Sequence, residues 1–181
     1  MAQFYSELSD TLKQFIAEQR VFFVATAPEH GRINLSPKGV DTLRCLDNRT
    51  IAYLDLTGSG NETAAHLVEN GRMTMMWCSF GERPLVLHVY GHGRVVRPRH
   101  AEWTRLSPLF EVPPGARQII VLDVDSVHTA CGFGVPRYEY QGERGTLVKY
   151  WATRGEGAVQ ANWREANQVS IDGLPTHLLA D

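Results

Sequence analysis

Apolar residues recur at helical spacing from the start of the chain. Phe4, Leu8, Leu12, Phe15 and Ile16 fall on one face, and Glu7, Asp10, Lys13, Gln14 and Glu18 on the other. That pattern predicts an amphipathic helix. The texture then changes. VFFVATA (21–27) is dense in β-branched and aromatic residues, PEHG (28–31) carries turn chemistry, and RINLS (32–36) follows as a hairpin partner. DNRT (47–50) turns the chain into another strand, IAYLDL (51–56). TGSGNETAAHLVENG (57–71) reads as a short helix, with Ser59 and Glu62 spaced as a capping box and Gly71 at the stop. RMTMMWCSF (72–80), LVLHVYGHGRVV (85–96) and IIVLDVDSV (119–127) are three further strands, with a helix near 100–109 between the last two. After Gly132 the chain is loop-rich, then helical around 146–154 and 158–167.

At least six short strands with one small helix among them predict a closed or nearly closed β-barrel flanked by helices, α+β in class. A parallel doubly wound sheet would need a helix after nearly every strand, and most connections here are too short. The 181 residues suffice for a single domain with a real core, the barrel spanning about 15–136 and a helical and loop extension about 137–181.

Charge narrows the partners. Eighteen basic and twenty acidic side chains leave a net charge of −2, which speaks against nucleic acid. The apolar runs are strand-length, so neither a membrane span nor a secretory signal is expected. Cys45, Cys78 and Cys131 are odd in number and far apart, as in a reducing compartment. A cytoplasmic protein is the expectation. Lysine is scarce, at three (Lys13, Lys38, Lys149) against fifteen arginines.

Two segments could meet an anion. Lys38 ends a strand at Ser36-Pro37-Lys38-Gly39, where it serves either as a phosphate partner or as a solvated turn lysine. Gly58-Ser59-Gly60-Asn61-Glu62-Thr63 opens a helix whose first N–H groups lack internal partners. The same residues also make a well-capped helix with no ligand at all. No Gly-Lys-Ser/Thr follows, so this is not a Walker loop, and Thr57 stands where a nucleophile elbow needs glycine. In the capping-box reading Glu62 reaches back to the Ser59 N–H and leaves the Asn61 and Thr63 side chains free. His88 and His92 are four apart on a strand, roughly 13 Å, too far to share a metal. No metal site is expected. The glycines of Cys131-Gly132-Phe133-Gly134-Val135-Pro136 imply a backbone passing close to a ligand, to another subunit or to the barrel end. Trp77, Trp103, Trp151 and Trp163 read as core or interface residues.

The ordered set of Asn34-Leu35-Ser36-Pro37-Lys38-Gly39, the strand 51–56, the turn and helix 58–72, the strand 73–80 and Tyr90-Gly91-His92-Gly93 resembles the pyridoxamine 5′-phosphate oxidase-like family of FMN-binding split barrels. The CGFGVP loop and Ser170-Ile171-Asp172-Gly173-Leu174-Pro175 resemble a bacterial, oxidase-related subgroup of it. The resemblance implies a homodimer with FMN at the subunit interface and a small-molecule substrate. It implies cofactor contacts from Asn34, Ser36, Lys38, Thr57, Ser59, Asn61, Thr63 and His88. Where the authentic oxidases carry a Ser-Arg-Lys run, this chain has Asn61-Glu62-Thr63, and it has no arginine-rich closing segment. An FMN-dependent oxidoreductase other than a true pyridoxamine phosphate oxidase is therefore expected, with no acid–base residue evident. Use of the deazaflavin F420, or a non-catalytic barrel binding flavin or haem, are the alternatives.

Overall fold

The computed structural model describes residues 2–180. Among them eight strands form one antiparallel sheet: β1 (Gln3–Tyr5), β2 (Phe22–Thr26), β3 (Asn34–Lys38), β4 (Leu43–Cys45), β5 (Thr50–Leu56), β6 (Arg72–Cys78), β7 (Val86–Val96) and β8 (Ala116–Ala130). The helices are α1 (Asp10–Glu18), α2 (Glu62–Glu69), α3 (Trp103–Leu106) and α4 (Thr146–Ala166). None is long and apolar enough to cross a membrane.

The sheet runs β3-β2-β6-β7-β8-β5-β4, with β1 paired to β8 off this path. It curls into a split barrel whose ends, β3 and β4, are not paired with each other. Pro37, which has no N–H to donate, sits on the end strand where that costs no ladder bond. Phe22, Val24, Ile51, Tyr53, Met75, Trp77, Leu87 and Leu122 fill the concave side. A second cluster lies on the other side of β5 and β8, where Ala52, Leu54, Ile119 and Val121 pack against Leu106 and Phe110. Burial on both faces explains why these two strands read as continuous apolar runs rather than as alternation.

The N-terminal helix is shorter than its apolar stripe predicts. Ser9 caps it, accepting from the Leu12 N–H at 3.3 Å, so the helix starts at Asp10. Phe4 belongs instead to β1 and stacks on His128 at 4.6 Å. Between β7 and β8 the expected helix breaks into α3 and one 3-10 turn, Ser107–Leu109. Gly155, at φ 76°, divides α4 where the sequence suggests two helices. In the CGFGVP loop Gly132 (φ 66°) passes against the backbone of Leu85 in its own chain, while Phe133 is exposed.

The segment after the barrel is fastened to the loop 57–61. The Trp151 indole N–H donates to the Thr57 carbonyl at 2.9 Å, and that of Trp163 to the Thr57 hydroxyl at 2.7 Å. The Asn61 amide donates to the Asn167 carbonyl at 3.3 Å, and Arg97 holds the Thr176 carbonyl.

Candidate functional site

Strand alternation directs Asn34, Ser36 and Lys38 to one side of β3, the side of their register partners Thr26, Val24 and Phe22. Across from them lie the loop 57–61 and the first turn of α2. These pieces enclose a cavity of about 220 Å³ lined by Asn34, Ser36, Lys38, Ser59, Asn61 and Thr63, with Asp55 and Arg117 below. The structure thus brings six of the eight sequence-predicted residues to one place.

Two of those linings are polar contacts already made. The Asn34 amide donates to the hydroxyls of Thr63 at 3.1 Å and Thr26 at 3.2 Å, tying β3 to α2. Lys38 has one long contact, 3.5 Å to Asp55 Oδ1, and its ammonium lies 5.9 Å from the centre of the Tyr53 ring. Two of its three N–H donors are left for the cavity. No side chain caps the start of α2, so its first-turn N–H groups also face outward without a side-chain partner.

Beneath the cavity is a network that the sequence reading missed. Asp55 accepts from Arg117 at 3.0 and 2.7 Å and from Gln118 at 2.9 Å. Arg117 continues to the Gly60 carbonyl at 3.0 Å and the Asn167 amide oxygen at 2.7 Å. Burial pushes the Asp55 carboxyl upward, but the Arg117 and Lys38 charges and the hydrogen bonds outweigh it and hold it below the usual carboxylate range. With both edges of its guanidinium engaged, Arg117 is a strut that sets the height of the loop. Tyr53 is fully buried and its hydroxyl has no hydrogen-bond partner among the described residues. Burial, with Asp55 nearby, pushes its phenol well above the ordinary value, so it stays a neutral donor. The one signal that pointed here was Asp55, a carboxylate within an otherwise apolar strand.

Several expectations need correction. There is no capping box: α2 begins at Glu62, and both Glu62 oxygens accept from the Ile171 N–H at 3.1 Å instead of reaching the Ser59 N–H. The competing partner is the Ser170–Pro175 turn, which no local pattern places against α2. Asn61 is not free, since its oxygen accepts from Gln118 at 2.8 Å while its amide holds Asn167. Thr57 is buried and occupied by the two tryptophans. His88 pairs across to Met76 and His128 on the convex side of the sheet, away from this cavity, and stacks between Tyr90 and His128. Burial and His128 lower its pKa. His92 is exposed and contacts Asp125 at 3.0 Å.

Glu62→Gln keeps one acceptor oxygen for Ile171 and removes a charge from the cavity rim. We expect a stability loss of about 0.5–1.5 kcal/mol in chemical denaturation, with anion affinity at this site equal or slightly higher.

Among the described residues no group of three or more His, Cys, Asp or Glu side chains could hold a metal ion. All three cysteines are free, and burial pushes the Cys45 thiol up to about 11.

Residues 8–131 match the family model for pyridoxamine 5′-phosphate oxidase. The chain is 38% identical to the pyridoxamine 5′-phosphate oxidase family protein ustO of Aspergillus flavus, over 97% of this chain and 78% of that one. Among solved structures, HupZ of Group A Streptococcus superposes with a TM-score of 0.52 at 17% identity, covering 66% of this chain and 91% of that one. A point variant of HupZ gives 0.53 at 18%, covering 67% and 98%. At such identities the likeness concerns the fold.

Proposed function

Since the chain belongs to the pyridoxamine 5′-phosphate oxidase family, we propose that it is an FMN-dependent oxidoreductase whose flavin phosphate enters the cavity between β3 and α2. The observation that carries this reading is Lys38, a cation with one long internal contact at the wall of a small polar cavity. Around it stand the Ser36, Ser59 and Thr63 hydroxyls and the uncapped first turn of α2, a donor set suited to a phosphate. At about 220 Å³ the cavity is smaller than the roughly 300–1,000 Å³ of sites that enclose a whole small molecule. It accepts the phosphate end and leaves the ring outside.

A bound flavin supplies hydride chemistry. The chain contributes the anion-binding end, the Asp55–Arg117 strut that keeps the loop at a fixed height above β3, and a neutral Tyr53 below. A second copy of the chain would cover the ring. The Phe4, His128, His88 and Tyr90 stack on the convex side, with Phe4 73% exposed, offers it an apolar aromatic face, and His88 would serve the cofactor from there. The free cysteines agree with a reducing, cytoplasmic setting. Asn61-Glu62-Thr63 stands where the authentic oxidases carry Ser-Arg-Lys, so a true pyridoxamine phosphate oxidase is not the expected identity.

The test is the absorption spectrum of the purified protein and the mass of the ligand it releases. The expected result is a two-band flavin spectrum and the mass of FMN. A released deazaflavin would assign F420 instead. A colourless protein that also fails to bind added FMN would overturn the reading.

A further inference from the structure

A second, larger cavity adjoins the first. It measures about 600 Å³ and lies between the loop 57–59 and α4. Gly58 and Ser59 line both, so one short stretch of backbone separates them. Apart from the loop 57–59, its walls are Arg144, Thr146, Leu147, Tyr150, Trp151 and Asn162, all beyond the 8–131 that match the family model. The extension therefore builds a site that the family barrel alone does not contain.

The wall chemistry is specific. Leu147 and Tyr150 are 37% and 44% exposed, and Trp151 is locked by its bond to the Thr57 carbonyl. Tyr150 is held edge-on to Trp151 at 4.8 Å and covered from behind by the Arg154 guanidinium at 4.4 Å. Such a rigid aromatic and aliphatic wall suits a flat apolar group. Two polar groups at the cavity lack partners among the described residues. The buried Asn162 Oδ1 accepts nothing, and no carboxylate of the described residues pairs with the exposed Arg144. An unpaired buried acceptor is costly unless a ligand or water satisfies it. A guanidinium at the mouth of an apolar cavity is suited to a carboxylate in bidentate geometry.

We infer that this cavity is a binding site for an aromatic carboxylate that also carries a hydrogen-bond donor. The ring lies on Leu147, Tyr150 and Trp151, the carboxylate meets Arg144, and a hydroxyl or N–H of the ligand donates to Asn162. The volume of about 600 Å³ lies within the small-molecule range and leaves room for a single such molecule beside the flavin end. The site goes beyond the flavin reading and stands independently of it, because none of its six tail residues lines the Lys38 cavity.

The test is calorimetric titration of the full-length protein, as purified, with 4-hydroxyphenylacetate and with its neutral carboxamide. Saturable binding of the acid, at least tenfold weaker binding of the amide, and at least tenfold weaker binding of the acid to Arg144→Ala are expected. Arg144 is exposed, so that variant should keep its fold. Affinity for the amide should be the same in wild type and variant. Lys38→Ala should bind the acid as wild type does, which separates this site from the flavin cavity. No saturable binding of the acid, or equal affinity in Arg144→Ala, would overturn the inference even if the protein is yellow. Binding of the acid to a protein that takes up no flavin would uphold it while the flavin reading fails.

Discussion

Asp55→Asn is expected to lower the stability of the protein by about 3–5 kcal/mol, the range for removing one partner of a buried ion pair. The side chains of Asp55 and Arg117 are each 3% exposed, and among the described residues no second carboxylate contacts Arg117. An asparagine there keeps an acceptor oxygen but leaves the guanidinium buried without a counter-charge. It also turns an N–H₂ toward donors that already point inward. Denaturant titration at neutral pH measures the loss directly. Its pH dependence has a definite sign. The folded-state carboxyl lies below its unfolded value, because the Arg117 and Lys38 charges and hydrogen bonds outweigh burial. The stabilisation is therefore fully present above the unfolded pKa of about 4 and is lost as pH falls through the folded value. The gap between wild type and Asp55→Asn should be flat at neutral pH and narrow in acid. A gap that stayed constant from neutral pH to about pH 3 would show that the charge of Asp55 is not what holds the network.

That network also marks where sequence reasoning stops. The barrel was legible because its signals are local: β-branched and aromatic density in VFFVATA, turn residues between strands, and a helical period that overran α1 only at its N-terminal end. Lys38 and the 58–63 turn were legible as chemistry because scarcity and glycine content single them out. Asp55, the adjacent Arg117 and Gln118, and Asn167 come from three separate stretches and meet only through the β5–β8 pairing and the return of the tail. No periodicity records that meeting. The capping box failed for the same reason. Ser59 and Glu62 have the right spacing, but the Ile171 N–H, 109 residues away from Glu62, competes for the carboxylate. His88 reads as a site residue from its position in the chain alone. Strand parity, fixed by the Met76 and His128 register, turns it to the other face of the sheet.

Lys38→Ala should weaken FMN binding about 10- to 150-fold, or about 1.5–3 kcal/mol, the range for a charge-assisted contact. Fold and stability should change little. Asp55 keeps Arg117 and Gln118 at 2.7–3.0 Å, while its contact to Lys38 is the longest it makes, at 3.5 Å. The quarter-exposed lysine is therefore a minor partner of that carboxylate, and its ammonium can turn to a phosphate without leaving the aspartate unpaired. Lys38→Met separates charge from packing, because methionine keeps an apolar stem over the Tyr53 ring. It should bind FMN as weakly as the alanine variant. Riboflavin, which has the ring and ribityl chain but no phosphate, should bind all three proteins alike. The wild-type advantage for FMN should also shrink as salt rises, since the contact lies at the cavity wall and not in the core. Flavin fluorescence titrations read each of these. Equal losses for FMN and riboflavin would place Lys38 against the ring, and unchanged FMN affinity would return it to a solvated turn lysine.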